Sequence, residues 1–178
     1  GIDILHIGKD SKQLRLTNGC VKDTIAGIDL TELKSDITVI GKHVKLTNAV
    51  VQQVTTRLDI PKGDIFLPDK EKGTSLSYNA DTIKGRVMLK DISQPFAPVL
   101  RKFSIPLNLS VSLNGNGDGM LFKNIHVNTD DNKLTISSMG MLRNLKEARK
   151  LNLHFEVYEM VAKPGIKDKI INQFTVKK

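Results

Sequence analysis

The chain has 178 residues, with 27 lysines and arginines against 19 acids and a formal net charge of +8. That length fits one large domain, and a single cysteine, Cys20, excludes an internal disulfide and a cysteine-based metal site. Six Phe, two Tyr and no Trp leave few rings for base stacking, and the basic residues are scattered, which together argue against nucleic acid.

Taken in chain order, short alternating aliphatic and polar stretches predict strands at residues 2–7, 13–17, 24–30, 36–40, 43–46, 49–60, 64–67, 76–80, 82–89, 105–113, 119–127, 133–142 and 151–160. Turn residues punctuate them: Asn18-Gly19, Gly41, Thr47-Asn48, Pro61-Lys62-Gly63, the run from Asn114 to Gly119, and Asp130-Asp131-Asn132. Consecutive hairpins predict an antiparallel meander. In the 105–113 run Leu107, Leu109, Val111 and Leu113 fall on one face. In the 151–160 run Leu151, Leu153, Phe155 and Val157 do the same. Read as one long strand, 49–60 places Val50, Val54, Leu58 and Ile60 together, with Gln52 and Thr56.

Helix is scarce. Residues 91–103 allow a turn or two, limited by Pro95 and Pro98. Residues 164–174 open on a proline and space Ile166, Ile170, Ile171 and Phe174 for a terminal helix. No run of 18 apolar residues is present, so no membrane-crossing helix is expected. Neither end carries an initiator methionine or a tail signal, and the chain reads as one domain, 1–178, cut from a longer protein.

Reactive groups do not converge. His6, His43, His126 and His154 have no ligand spacing in sequence. The Asn114-to-Asp118 phrase would need an acid at the twelfth position of a calcium loop, where Ile125 stands. Asp130 and Asp131 are neighbours that point apart. Asn108-Leu109-Ser110 is a glycosylation sequon lying mid-strand. The expectation is therefore no enzyme, no catalytic residues, no metal and no cofactor. Two readings of the aliphatic faces stay open. One is a closed core, as in a structural or adhesive β-sandwich that binds a protein through an edge strand. The other is an open groove for acyl chains, where a sixteen-carbon chain gains roughly 12 kcal/mol over water at ~0.8 kcal/mol per CH₂. The lysines suit either an anionic lipid surface or a solvated, anti-aggregation exterior.

Three phrases carry a family likeness: LTNAVVQQVTTRLDIPKGDIFLP, DTIKGRVMLKDISQPFAPVLRKFSIPLNLSVSLNGNGDGMLFKNIHV, and KLTISSMGMLRNL followed by KLNLHFEVYE. In them the chain resembles the AsmA-like/TamB family of Gram-negative envelope proteins, over about two thirds of its length. The resemblance implies an elongated, curled antiparallel meander sheet, taco-like, with an apolar groove and one or two short helices. It implies a periplasmic location with an inner-membrane anchor outside this chain, and no cofactor. The implied partners are phospholipid acyl chains and, as a second class, outer-membrane assembly proteins. The groove lining it suggests is Leu107, Leu109, Val111, Leu113, Leu151, Leu153, Phe155 and Val157, with Val54 and Leu58 from the 49–60 stretch.

Overall fold

Strand-period alternation with turn residues every ten or so positions leaves each segment one natural partner, the segment before it or after it. The structure is a computed structural model that describes residues 1–23, 28–92, 101, 103–147 and 150–166. It contains ten strands: β1 (Ile2–Ile7), β2 (Ser11–Asp23), β3 (Ile28–Ile40), β4 (His43–Gln53), β5 (Thr56–Phe66), β6 (Ser77–Met88), β7 (Pro106–Asn116), β8 (Gly119–Thr129), β9 (Leu134–Arg143) and β10 (Asn152–Ala162). Every strand pairs antiparallel with its sequence neighbours, giving one open sheet in the order β1 to β10. The chain is all-β. A 3-10 turn at Leu89–Ile92 is the one helical element whose whole span is described.

Several predicted boundaries move. Asn18-Gly19 is not a hairpin turn: it lies inside β2, at a break in the β2–β3 register. Residues 49–60 are not one strand. They span the end of β4, a tight turn at Val54-Thr55 and the start of β5. Val54 adopts φ 54° there, a costly conformation for a β-branched residue that sequence alone does not announce. Pro61-Lys62-Gly63 lies within β5, where the ladder to β6 skips from Asp59–Lys84 to Gly63–Ala80. Pro61 brings no N–H to a ladder, and it sits in that gap. Stretches 76–80 and 82–89 are one strand, β6. Of the two predicted helices, 93–100 and 102 in the first and 167–174 in the second lie outside the described residues, as do residues 24–27 at the head of the predicted 24–30 strand.

A row of bulges explains the merged and shifted strands. Each even-numbered strand carries one extra residue against a neighbour, as do β1 between Ile4 and His6 and β3 just after Leu30. The extra residue falls between Leu16 and Gly19 on β2, between Thr47 and Val50 on β4, between Ala80 and Ile83 on β6, between Phe122 and Ile125 on β8, and between Val157 and Glu159 on β10. Asn48 and Asn124 take up the strain at φ 52° and 51°. Asparagine tolerates that region better than other side-chain-bearing residues. The β6 bulge is tied down by Ser112 Oγ, which donates to Asp81 O at 2.7 Å. Bulges add local twist and bend the strand. They also invert the period-2 phase on one side of the row, while β7 and β9 pass through without an insertion.

Burial is shallow. Seven of the nine buried apolar residues among those described, all but Ala49 and Val87, form two clusters. Ala80, Ile83 and Val111 centre the first, with Leu58, Ile60, Leu109, Leu113, Phe122 and Ile125 packed around them. Phe103, Leu107, Leu134 and Ile166 form the second, near the β6–β7 connection and the segment after β10. No described side chain is less than 2% exposed. A second sheet is absent among the described residues.

The turn after β8 is the best-satisfied polar feature. The Thr129 hydroxyl is 3% exposed; it donates to Asp131 Oδ1 at 2.7 Å and accepts from the N–H groups of Lys133 and Leu134, both at 3.1 Å. Thr129→Val keeps the shape but takes the hydroxyl acceptor from the buried Leu134 N–H and the donor from Asp131, while the Lys133 N–H keeps Asp131 Oδ1, so it is expected to cost about 2 kcal/mol. A urea-midpoint shift within error of wild type overturns that expectation. The Thr129 hydroxyl, with the Lys133 N–H, holds the Asp131 carboxyl below the usual carboxylate range. A lowered folded-state pKa stabilises fully above the ordinary value of about 4, and that stability is lost as pH falls through the lowered one. Asp131→Asn should therefore flatten the loss of stability on acidification; an unchanged slope counts against it.

Candidate functional site: the apolar face

Residues directly opposite in an antiparallel pair share a face. Following the register from strand to strand therefore traces rungs across the sheet. One rung runs Ile4, Leu14, Ile37, Leu46, Gly63, Ala80, Leu113, Phe122, Gly140, Phe155, apolar on all ten strands. A second, on the other side of the bulge row, runs Gly19, Leu33, Val51, Leu58, Gly85, Leu109, Val127, Ile136, Met160. A third runs Ile7, Lys12, Val39, Val44, Ile65, Tyr78, Gly115, Met120, Leu142, Leu153, with Lys12 its one charged member. Burial pushes the Tyr78 phenol pKa up, as an apolar setting should. Where Gly140 leaves a gap, the Phe155 ring fills it: a Cβ built on Gly140 would meet Phe155 Cε1 at 2.4 Å.

The opposite face is polar along matching rungs. His6, Gln13, Thr38, Lys45, Asp64, Asn79, Asn114, Leu121, Met141 and His154 form one, apolar only at Leu121 and Met141. Three arginines here are paired with acids from other elements. Arg15 Nε donates to Asp36 Oδ1 at 2.6 Å, Arg57 reaches Glu32 at 3.0 Å, and Arg86 reaches Asp130 at 2.6 Å. The Arg15 hydrogen bond, helped by Asn48, lowers the Asp36 pKa, and Lys34 foremost lowers that of Glu32. Exposed pairs of this kind contribute little to stability, so the face reads as a solvated exterior. His43 is occupied structurally: Nε2 lies 2.7 Å from Asp64 Oδ1 and the ring stacks on Phe66 at 4.3 Å. Among the described residues no group of three or more His, Cys, Asp or Glu is placed to hold a metal ion, and no helix is long and apolar enough to cross a membrane.

No protein-family model matches the chain, and neither a curated protein nor a solved structure matches it.

Most of the residues predicted to line a groove do share the apolar face. Leu107, Leu109, Val111 and Leu113 sit on β7, Leu153, Phe155 and Val157 on β10, and Leu58 on β5. They are not equally available. Val111 is buried inside the first cluster, and Leu107 lies under Phe103 and Ile166 in the second. Leu153, Phe155 and Val157 stand more than half exposed. Leu151 precedes β10 and is exposed. Val54 does not belong with the others: it is in the β4–β5 turn, 53% exposed, and Val51 rather than Val50 or Val54 stands opposite Leu58. The face also contains residues that alternation missed, among them Ile37, Leu46, Val51, Ile65 and Leu142. Each is readable only once the bulge in its own strand or its neighbour is known.

Proposed function

We propose that the chain is a non-enzymatic, lipid-conducting segment of a periplasmic AsmA-like protein, passing phospholipid acyl chains along the apolar face. The observation that carries this reading is the set of apolar rungs that cross the sheet from edge to edge with no second sheet over them among the described residues. A lining of Leu, Ile, Val and Met with few rings is smooth and unspecific. A chain sliding between a bilayer and such a face exchanges one apolar setting for another, with little net free-energy change. That suits transfer better than storage. The inner-membrane anchor and a contribution to outer-membrane assembly belong to the same proposal and rest on the family resemblance.

A second reading has its own support. All eleven residues of β10 are exposed, which favours a structural or adhesive role through edge-strand pairing with a protein. Native purification from bacterial envelope fractions followed by lipid mass spectrometry separates the two. Stoichiometric phospholipid above a matched β-sandwich control supports the conducting face. A well-folded, lipid-free protein rejects it.

A further inference from the structure

The sequence holds three Asn-Gly pairs: Asn18-Gly19, Asn114-Gly115 and Asn116-Gly117. An asparagine followed by glycine can lose its amide without an enzyme. The glycine's backbone nitrogen attacks Cγ of the asparagine within one chain, and the missing Cβ leaves that approach unhindered. The fold treats the three pairs differently. Gly19 lies opposite Leu33, and Gly115 lies between Tyr78 and Met120, so both are held inside strands. Gly117 falls between β7, which ends at Asn116, and β8, which begins at Gly119. It has no ladder partner among the described residues.

The Asn116 side chain is also held as the reaction needs. Its Oδ1 accepts from the Asp118 N–H and the Gly119 N–H, both at 2.9 Å. Negative charge develops on that oxygen when a nucleophile adds to Cγ, and two backbone donors aimed at it act as an oxyanion hole. Among the described residues no N–H donates to the side-chain oxygen of Asn18 or Asn114. A cation stands close as well: a Cβ built on Gly117 would meet Lys146 Nζ at 3.5 Å. Asp118 is the loop's opposing charge.

We propose that Asn116 is a self-deamidating site promoted by the β7–β8 turn itself. The bond from Gly117 N to Asn116 Cγ forms, the Cγ–Nδ2 bond breaks, and ammonia leaves with the proton from Gly117 N. Water then opens the cyclic imide at either carbonyl, restores the N–H and leaves aspartate or isoaspartate at 116. No oxidant or cofactor is consumed. Either product adds a carboxylate beside Asp118, at a cavity of about 630 Å³ lined by Met120, Leu142 and Asn144, where the third apolar rung passes Gly115 and Met120. Isoaspartate also inserts one carbon into the backbone next to a two-residue loop. The hairpin tip therefore changes charge and length with age, whether or not the apolar face carries lipid.

The purified chain is aged at neutral pH, folded and in denaturing urea, and peptide mass spectrometry with fragmentation follows amide-to-acid conversion at all three asparagines. In the folded chain Asn116 is expected to convert several-fold faster than Asn18 and Asn114. It should also convert several-fold faster than it does in urea, where the three rates converge. Gly117→Ala should slow it several-fold in both conditions, and Lys146→Gln only in the folded chain. A folded rate at Asn116 equal to or below its urea rate overturns the proposal, because the turn then shields the amide. A folded order led by Asn18 or Asn114 does the same. Circular dichroism confirms that each aged sample is folded, and the parent chain's folded-to-urea comparison decides alone if a variant fails to fold.

Discussion

Gly85→Ala should be the most damaging single-methyl change in the chain. A Cβ built on Gly85 would meet Arg57 O at 2.0 Å and Leu58 Cα at 2.9 Å. Both are backbone atoms of β5, so no side chain can turn aside to make room. Relief requires β6 to move off β5 at the point where Leu58, Asp59 and Arg57 pair with Gly85, Lys84 and Arg86. Leu58 also packs on the cluster centred on Ala80, Ile83 and Val111, so the shift would loosen that cluster. Overpacking against side chains costs about 1–3 kcal/mol, and an unyielding backbone places this change at or above the upper end. Gly117→Ala is the control, because its nearest neighbour is the flexible end of Lys146, 3.5 Å away. That change should stay within about 0.5 kcal/mol of wild type. Urea denaturation followed by circular dichroism reads both. Equal midpoints for the two variants would show that β5 and β6 are not held as closely as the structure has them.

The second large effect separates fold from function on the same face. Val111→Asp introduces a carboxylate at a position 7% exposed, among Ala80, Ile83 and their neighbours. It loses the burial of a valine, worth about 1.5–3 kcal/mol, and adds the cost of an unpaired charge, so the sum is expected to exceed about 4 kcal/mol. A single open sheet has little stability to spare, and the variant should be largely unfolded. Leu153→Asp with Phe155→Asp changes two residues that are 57% and 52% exposed on β10. Its stability cost should be small, apart from the loss of the Phe155 cover over Gly140. If the apolar face conducts lipid, this double variant should be folded and should retain several-fold less phospholipid than wild type by mass spectrometry. A folded double variant with undiminished lipid would remove the face from the proposal. Burial shows that Val111 probes the core and that the edge residues probe the surface.

How much of this was legible follows strand by strand. The apolar face of β7 is legible because the strand carries no insertion: Leu107, Leu109, Val111 and Leu113 alternate without interruption and share one face, although the strand runs on to Asn116, through residues whose Asn and Gly predict a turn. The part of β10 before its bulge was read correctly for the same reason, through Leu153, Phe155 and Val157. β4 and β5 were not. A sequence window cannot distinguish a twelve-residue strand from two strands joined by a two-residue turn when the turn residues are Val54 and Thr55 rather than Gly or Asn. The reverse error occurred at Asn18-Gly19 and Pro61-Lys62-Gly63, where turn chemistry marks a bulge and a ladder gap inside strands.

By itself, then, the sequence determined the class of the protein. Period-2 alternation and closely spaced turns permit little except an antiparallel meander, because side-chain direction along a strand is a local property. Tertiary structure decided the rest. The phase of each even-numbered strand depends on a bulge that only the neighbouring strand makes visible, since an extra residue is extra only relative to a partner. Whether the apolar face is covered is likewise set by what lies across from it. Alternation is the same in a closed sandwich and in an open sheet. Here the described residues cover that face only near Phe103 and Ile166, and leave it bare toward Leu153 and Phe155.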